Sequence, residues 1–213
     1  MCFIPLLAHA DYVRSPHVSE EVWNEVAPYF LPYKHSLRKK LDNIFKRSRV
    51  TENIESMEAA GFSLTETQGG RVVTTKHPSL KGYVIKMYLE DRETSEDWVS
   101  LKDRISGANL LKKRIKKLDY GHLFKVAKKW IYPLPLEPGL EEKPGYHRKN
   151  FVLVVEDMGI LKHKDNSAAW RCVRDSGILK KLVDITRPLG AVDCARACNI
   201  PWCKDGRIAF VDT

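Results

Sequence analysis

Within residues 83–89, Tyr83, Ile85, Met87 and Leu89 fall on one side of a period-two pattern and Val84, Lys86 and Tyr88 on the other. That leaves a lysine in the middle of an otherwise apolar strand. Near the end of the chain, Asp193, Asn199 and Asp212 surround a Lys204-Asp205-Gly206 turn. Earlier, Gln68-Gly69-Gly70 joins two short strand candidates and gives the backbone freedom at a hairpin tip. An ammonium can neutralise phosphate oxygens, and a carboxamide with a carboxylate offers the hard oxygen donors that magnesium takes. Each residue also has an ordinary reading. A strand lysine can snorkel to an edge, Gly69-Gly70 and Asp205-Gly206 can be plain hairpin turns, and Asn199 before Ile200-Pro201 can be a turn residue.

Elements able to position these residues are readable from periodicity. Ser19 caps a helix through Trp23, Val26 and Phe30, with Glu20 and Glu21 in its first turn. Leu37, Leu41, Ile44 and Phe45 mark a second helix, and Thr51 is placed to cap a third that Gly61 ends. After Gly61 the period becomes two, predicting strands over 62–67, 71–76 and 83–89. Trp98, Leu101, Ile105, Ala108, Leu111, Ile115 and Leu118 then repeat at steps of three and four, predicting a helix over 95–118 about 35 Å long. A strand over 124–134, a loop over 137–149 and a buried strand at Phe151-Val152-Leu153-Val154-Val155 follow. A helix over 170–186 and a strand over 207–211 complete the chain. The fold class is α+β.

Composition narrows the classes. The 213 residues carry 36 Lys+Arg against 27 Asp+Glu, a net charge of +9, and 43% of them are hydrophobic, enough for a core. No run approaches the roughly 18–20 apolar residues of a membrane span. Cys2 to Ala8 is apolar but short and lacks a basic leader, so it reads as a strand or tether. Five cysteines suit a reducing compartment, and a cytoplasmic setting is expected. Cys194, Cys198 and Cys203 follow no common zinc-knuckle spacing. The positive charge gathers in residues 38–49 and 112–129, each of which can be a solvated helix face or a docking surface for an acidic partner. Nucleic acid is the less favoured partner, because no aromatic interleaving or recognition signature accompanies the charge.

Hairpin, lysine strand, long helix, two strands, connector, helix, Asp–Asn loop and hairpin, taken in that order, resemble the protein-kinase-like superfamily over residues 62–213. Val84-Ile85-Lys86 resembles its third-strand lysine motif, with Val84 against adenine. Asn199 and Asp212, thirteen residues apart, resemble its magnesium-binding pair. Gly69-Gly70 resembles a reduced phosphate loop, and Glu156-Asp157-Met158 the hinge whose backbone meets adenine. Lys86 would then hold the α- and β-phosphates, and Asp193 would orient the acceptor hydroxyl as base. The chain departs from the family in having Asp193 six residues before Asn199 instead of five, Ala191-Val192 in place of His-Arg, and Thr213 after Asp212 in place of Phe-Gly. Those departures resemble divergent or atypical kinases.

The resemblance implies a two-lobe architecture: a helical extension over 1–61, an N-lobe over 62–158 with a small antiparallel sheet and a long helix, and a partial C-lobe over 159–213. It also implies ATP and Mg2+ as cofactors and a phosphoryl acceptor that the motifs do not identify. The family's catalytic domain continues past its metal-binding aspartate, so an incomplete C-lobe is expected. From that follows the alternative of an inactive, pseudokinase-like interaction protein that binds an acidic partner through its basic helices. Asp97 is the candidate carboxylate for pairing with Lys86, with helix capping as its other role.

Overall fold

The computed structural model describes residues 12–46, 49–66, 72–92, 97–135, 144–173, 176–191 and 196–212. It is a mixed α+β chain with a five-stranded antiparallel sheet and several helices. It separates into two compact units, divided at Lys102/Asp103, Lys129/Trp130 and Val155/Glu156.

The first unit is built on strands β1 (Ser63–Glu66), β2 (Val72–Lys76), β3 (Tyr83–Tyr88), β5 (Lys129–Pro133) and β6 (Phe151–Glu156), ordered β1-β2-β3-β6-β5. β2 and β3 pair antiparallel with Val73 opposite Met87 and Thr74 opposite Lys86. The expected alternation holds on β3, where Ile85 and Met87 are fully buried while Val84 and Lys86 are half-buried. β6 lies between β3 and β5, which explains why Phe151 to Val155 is apolar without alternation and buried throughout.

Three short helices precede the sheet: α1 (Glu20–Val26), α2 (Arg38–Phe45) and α3 (Ile54–Ala59). Ser19 caps α1 by accepting from the Val22 amide at 3.2 Å. The cap of α3 is Asn53, which accepts from the Ser56 amide at 2.8 Å, and not Thr51 as expected. Thr51 is drawn away by a stronger partner, donating its hydroxyl to Glu90 Oε1 at 2.8 Å. Leu37, Leu41, Phe45, Val50 and Met57 share one core with Val73, Ile85, Met87, Tyr132, Val152 and Val154, so these helices are packed on the sheet.

Glu90 ties the end of β3 into this core. Its carboxylate, only 3% exposed, accepts from Arg49 Nε at 2.7 Å and pairs with a second guanidinium nitrogen. Its amide donates to the Thr51 carbonyl, and its carbonyl accepts from the His147 amide. A buried carboxylate is tolerable only when it is paired and hydrogen-bonded in this way.

Helix α4 (Asp97–Lys117) is about 30 Å long and contains the first division between the units. In the second unit its Ala108, Leu111 and Ile115 pack with Phe124, Val126, Leu182, Ile185, Ile200, Ile208 and Phe210. Strand β4 (Phe124–Val126) runs parallel to β7 (Ile208–Phe210). The single strand expected over 124–134 is therefore two, β4 and β5, paired in different sheets. Likewise, the helix expected over 170–186 is two, α5 (His163–Cys172) and α6 (Ser176–Thr186), because Val173 turns extended. Among the described residues no helix is long and apolar enough to cross a membrane.

Replacing Glu90 with Gln should lower unfolding stability by about 3 kcal/mol, because Arg49 is left buried beside a neutral partner. Urea denaturation checks this, and a change below about 0.5 kcal/mol would remove Glu90 from its structural role.

Candidate functional site

In the first unit, Val84 and Lys86 share the face of β3 opposite the buried Ile85 and Met87, and Lys86 faces across the ladder to Thr74. Asp97 begins α4, and its Oδ1 accepts from the Trp98 amide at 3.1 Å. Its Oδ2 lies 3.8 Å from Lys149 Nζ, whose side chain is 2% exposed. Burial outweighs the partner's charge on both groups, raising the Asp97 carboxyl pKa and lowering that of the Lys149 ammonium. Asp97 thus keeps the helix-terminus role and gains Lys149. Gly69 and Gly70 lie outside the described residues.

In the second unit, the segment holding Asn199 and Asp212 folds as a hairpin. The Asn199 and Ile200 amides donate to the Arg196 carbonyl at 2.8 and 3.0 Å, closing a tight turn before the first arm. The arms are joined by Cys203 N–H to Arg207 O at 2.8 Å, Ala209 N–H to Pro201 O at 2.9 Å and Val211 N–H to Asn199 O at 3.0 Å. The tip is Lys204-Asp205-Gly206, where Gly206 has φ of +78°, a conformation glycine adopts without strain. The Val211 backbone therefore stands against Asn199, so Asp212 is one residue past the position opposite Asn199. Asn199 Oδ1 accepts a weak hydrogen bond from the Cys198 thiol at 3.6 Å, and the Asp212 carboxylate forms an ion pair with Arg104 of α4.

Side chains from α5 and β4 hold this hairpin. Asn166, 6% exposed, donates to the Ala197 carbonyl at 3.1 Å and accepts from the Trp202 amide at 2.9 Å. Trp170 Nε1 donates to the Ile200 carbonyl at 3.2 Å. Lys125 donates to Asp205 Oδ2 at 2.8 Å, and together with Arg207 it holds the Asp205 carboxyl well below the usual carboxylate range.

The Glu156-Asp157-Met158 connector is anchored in the same unit. Glu156 donates its amide to the Lys128 carbonyl at 2.9 Å and accepts the Lys128 amide on Oε2 at 3.3 Å. The Asp157 carboxylate accepts from the Gly159 amide at 3.0 Å. Lys125 Nζ also donates to the Met158 carbonyl at 3.0 Å, so that carbonyl already has an internal partner. Leu161 N–H bonds to the Trp202 carbonyl at 2.8 Å, fastening the connector to the hairpin.

The structure thus brings Asn199 close to Asp212, and Glu156 and Met158 onto an anchored connector. Asp193 lies outside the described residues. Arg104, Lys125, Asn166 and Trp170 are further residues that shape the site, and no local pattern singled them out: Asn166 sits in the polar run His163-Lys164-Asp165, and Arg104 reads as one more exposed cation of α4. Among the described residues, no group of three or more His, Cys, Asp or Glu could hold a metal ion. Magnesium is commonly held by one or two protein oxygens with phosphates and water supplying the rest, and a carboxamide and a carboxylate are donors of the kind it would take.

An Asn166→Leu replacement removes both hydrogen bonds while keeping a buried side chain of similar length. The expected cost is about 2 kcal/mol in urea denaturation, with faster hydrogen exchange at the Trp202 amide; unchanged exchange there would rule out the clamp. No protein-family model, curated protein or solved structure matches the chain.

Proposed function

We propose that this chain is a divergent kinase-like domain that binds ATP with magnesium and serves phosphoryl transfer to an acceptor hydroxyl. The observation that carries the reading is the hydrogen bond from the Val211 amide to the Asn199 carbonyl, which brings the backbone of Asn199 to within one residue of Asp212 at the end of a buried strand. It is supported by the order of elements before it: a β1-β2-β3 antiparallel run with a lysine on β3, a long helix, then three strands, of which β5 and β6 join the β1-β2-β3 sheet, and an anchored connector.

In this reading the Lys86 ammonium neutralises the α- and β-phosphates, Val84 packs on adenine, and backbone at Gly69 and Gly70 approaches the phosphates. With the Met158 carbonyl taken by Lys125, its amide is the group left to meet adenine. Asn199 and Asp212 would hold Mg2+, which when bound neutralises charge on the β- and γ-phosphates. Asp193 orients the acceptor hydroxyl and takes its proton. The site works by positioning and charge neutralisation, the main demands of this chemistry. A cytoplasmic setting belongs to the same reading and rests on the cysteine content.

Saturating Mg-ATP should raise the thermal unfolding midpoint by about 5 °C. Lys86→Met and Asp212→Asn, each compared with its own ligand-free protein, should lose most of that shift. No shift in the parent chain, or an equal shift in both variants, would end the proposal.

A second reading is favoured by the surface of α4. Lys112, Lys113, Lys116 and Lys117 are exposed along its last two turns, and they form no ion pair among the described residues. Partial desolvation of its stem and the nearby charge of Lys128 lower the Lys112 ammonium pKa against the opposing charge of Glu156. This suits a pseudokinase-like interaction protein that docks an acidic partner. Fluorescence anisotropy with a labelled polyglutamate peptide tests it: charge reversal at these four lysines should abolish binding, and Lys86→Met should leave it intact. Equal binding by the parent and the charge-reversed chain would remove this reading.

A further inference from the structure

Asp212, the residue to which the proposed function gives a metal, forms an ion pair with Arg104. The two side chains are 36% and 21% exposed, so the pair is partly shielded from solvent. Both ends are fixed. Asp212 follows Val211, whose amide is bonded to Asn199, and Arg104 sits in a turn of α4 whose carbonyl accepts from the buried Lys129 ammonium at 3.4 Å. A guanidinium on a carboxylate is charge-assisted and directional, and it cancels the negative charge that draws a divalent cation. A metal arriving at Asp212 must share that carboxylate with a positive group or displace it. In either case the like charges oppose each other.

From this contact, and resting on the nucleotide-binding reading above, we infer that Arg104 is an internal competitor for the metal at Asp212. In the nucleotide-free protein it occupies the carboxylate, and Mg-ATP binds by displacing it. The apparent affinity is then the intrinsic affinity multiplied by the fraction of molecules in which Asp212 is released. Anything that draws Arg104 away switches the site on without touching a metal ligand. The opposing role, in which Arg104 orients Asp212 for the metal as outer-sphere partners often do, predicts the reverse effect of removing it.

Manganese is the probe, titrated in the presence of ATP and followed by the loss of its free electron paramagnetic resonance signal, with the parent chain, Arg104→Gln, Arg104→Lys and Asp212→Asn compared. Arg104→Gln should bind Mn-ATP at least about fivefold more tightly than the parent. Arg104→Lys, which keeps the charge but not the planar fork, should tighten it less, and Asp212→Asn should bind weakly. Thermal melts confirm that each variant is folded, and Arg104→Lys carries the test if Arg104→Gln is not. Parent binding with unchanged or weaker binding by both Arg104 variants would overturn the competitor role alone. Absence of binding by the parent and by both Arg104 variants would overturn the nucleotide-binding reading together with it.

Discussion

The hydrogen bond from the Val211 amide to the Asn199 carbonyl is the constraint on which the functional reading of this chain depends. Asn199 and Asp212 are thirteen residues apart, and that bond is the last of three that bring the two hairpin arms together. The bond exists because Gly206 allows the tip to reverse, Lys125 and Arg207 hold Asp205 at that tip, and β7 is paired to β4 along its length. Asn166 and Trp170 then fix the first arm from α5, satisfying backbone groups that would otherwise be costly to bury. Positioning two oxygen-bearing side chains therefore draws on three elements of the second unit.

Charge in this molecule is divided between internal work and display. Of the 36 Lys and Arg residues, several are committed to structure: Arg49 to Glu90, Lys125 to Asp205 and the Met158 carbonyl, Lys149 to Asp97, and Arg104 to Asp212. Burial demands a partner for Glu90 and Asp97, while Asp205 and Asp212 are more exposed. The lysines at the end of α4 are different, since they remain exposed. The net charge of +9 is thus no uniform property of the surface.

What was legible beforehand followed local rules. The alternation around Lys86, the apolar run of β6, the stripe of α4 and the Lys204-Asp205-Gly206 turn are all period or turn signals, and each was realised. The break between β4 and β5 was hidden, because Ala127 and Lys128 carry no turn signature and the division comes from pairing with two different sheets. Helix α5 was missed because its first half is polar, and its one buried polar side chain, Asn166, is paid for by contacts distant in sequence. Thr51 lost its expected capping role to a buried carboxylate that no local window contains. The pairing of Arg104 with Asp212 is of the same kind, a tertiary contact between two residues that each looked ordinary in place.

The central proposal is that Lys86 and Asn199 act on one metal–nucleotide complex. Paramagnetic broadening by Mn-ATP tests it most directly, read in a single sample at the Val84 methyl groups and the Asn199 side-chain amide. The account predicts that both sets of resonances broaden at substoichiometric manganese and that neither does when ATP is omitted. Broadening at one set alone, or at neither, would contradict it.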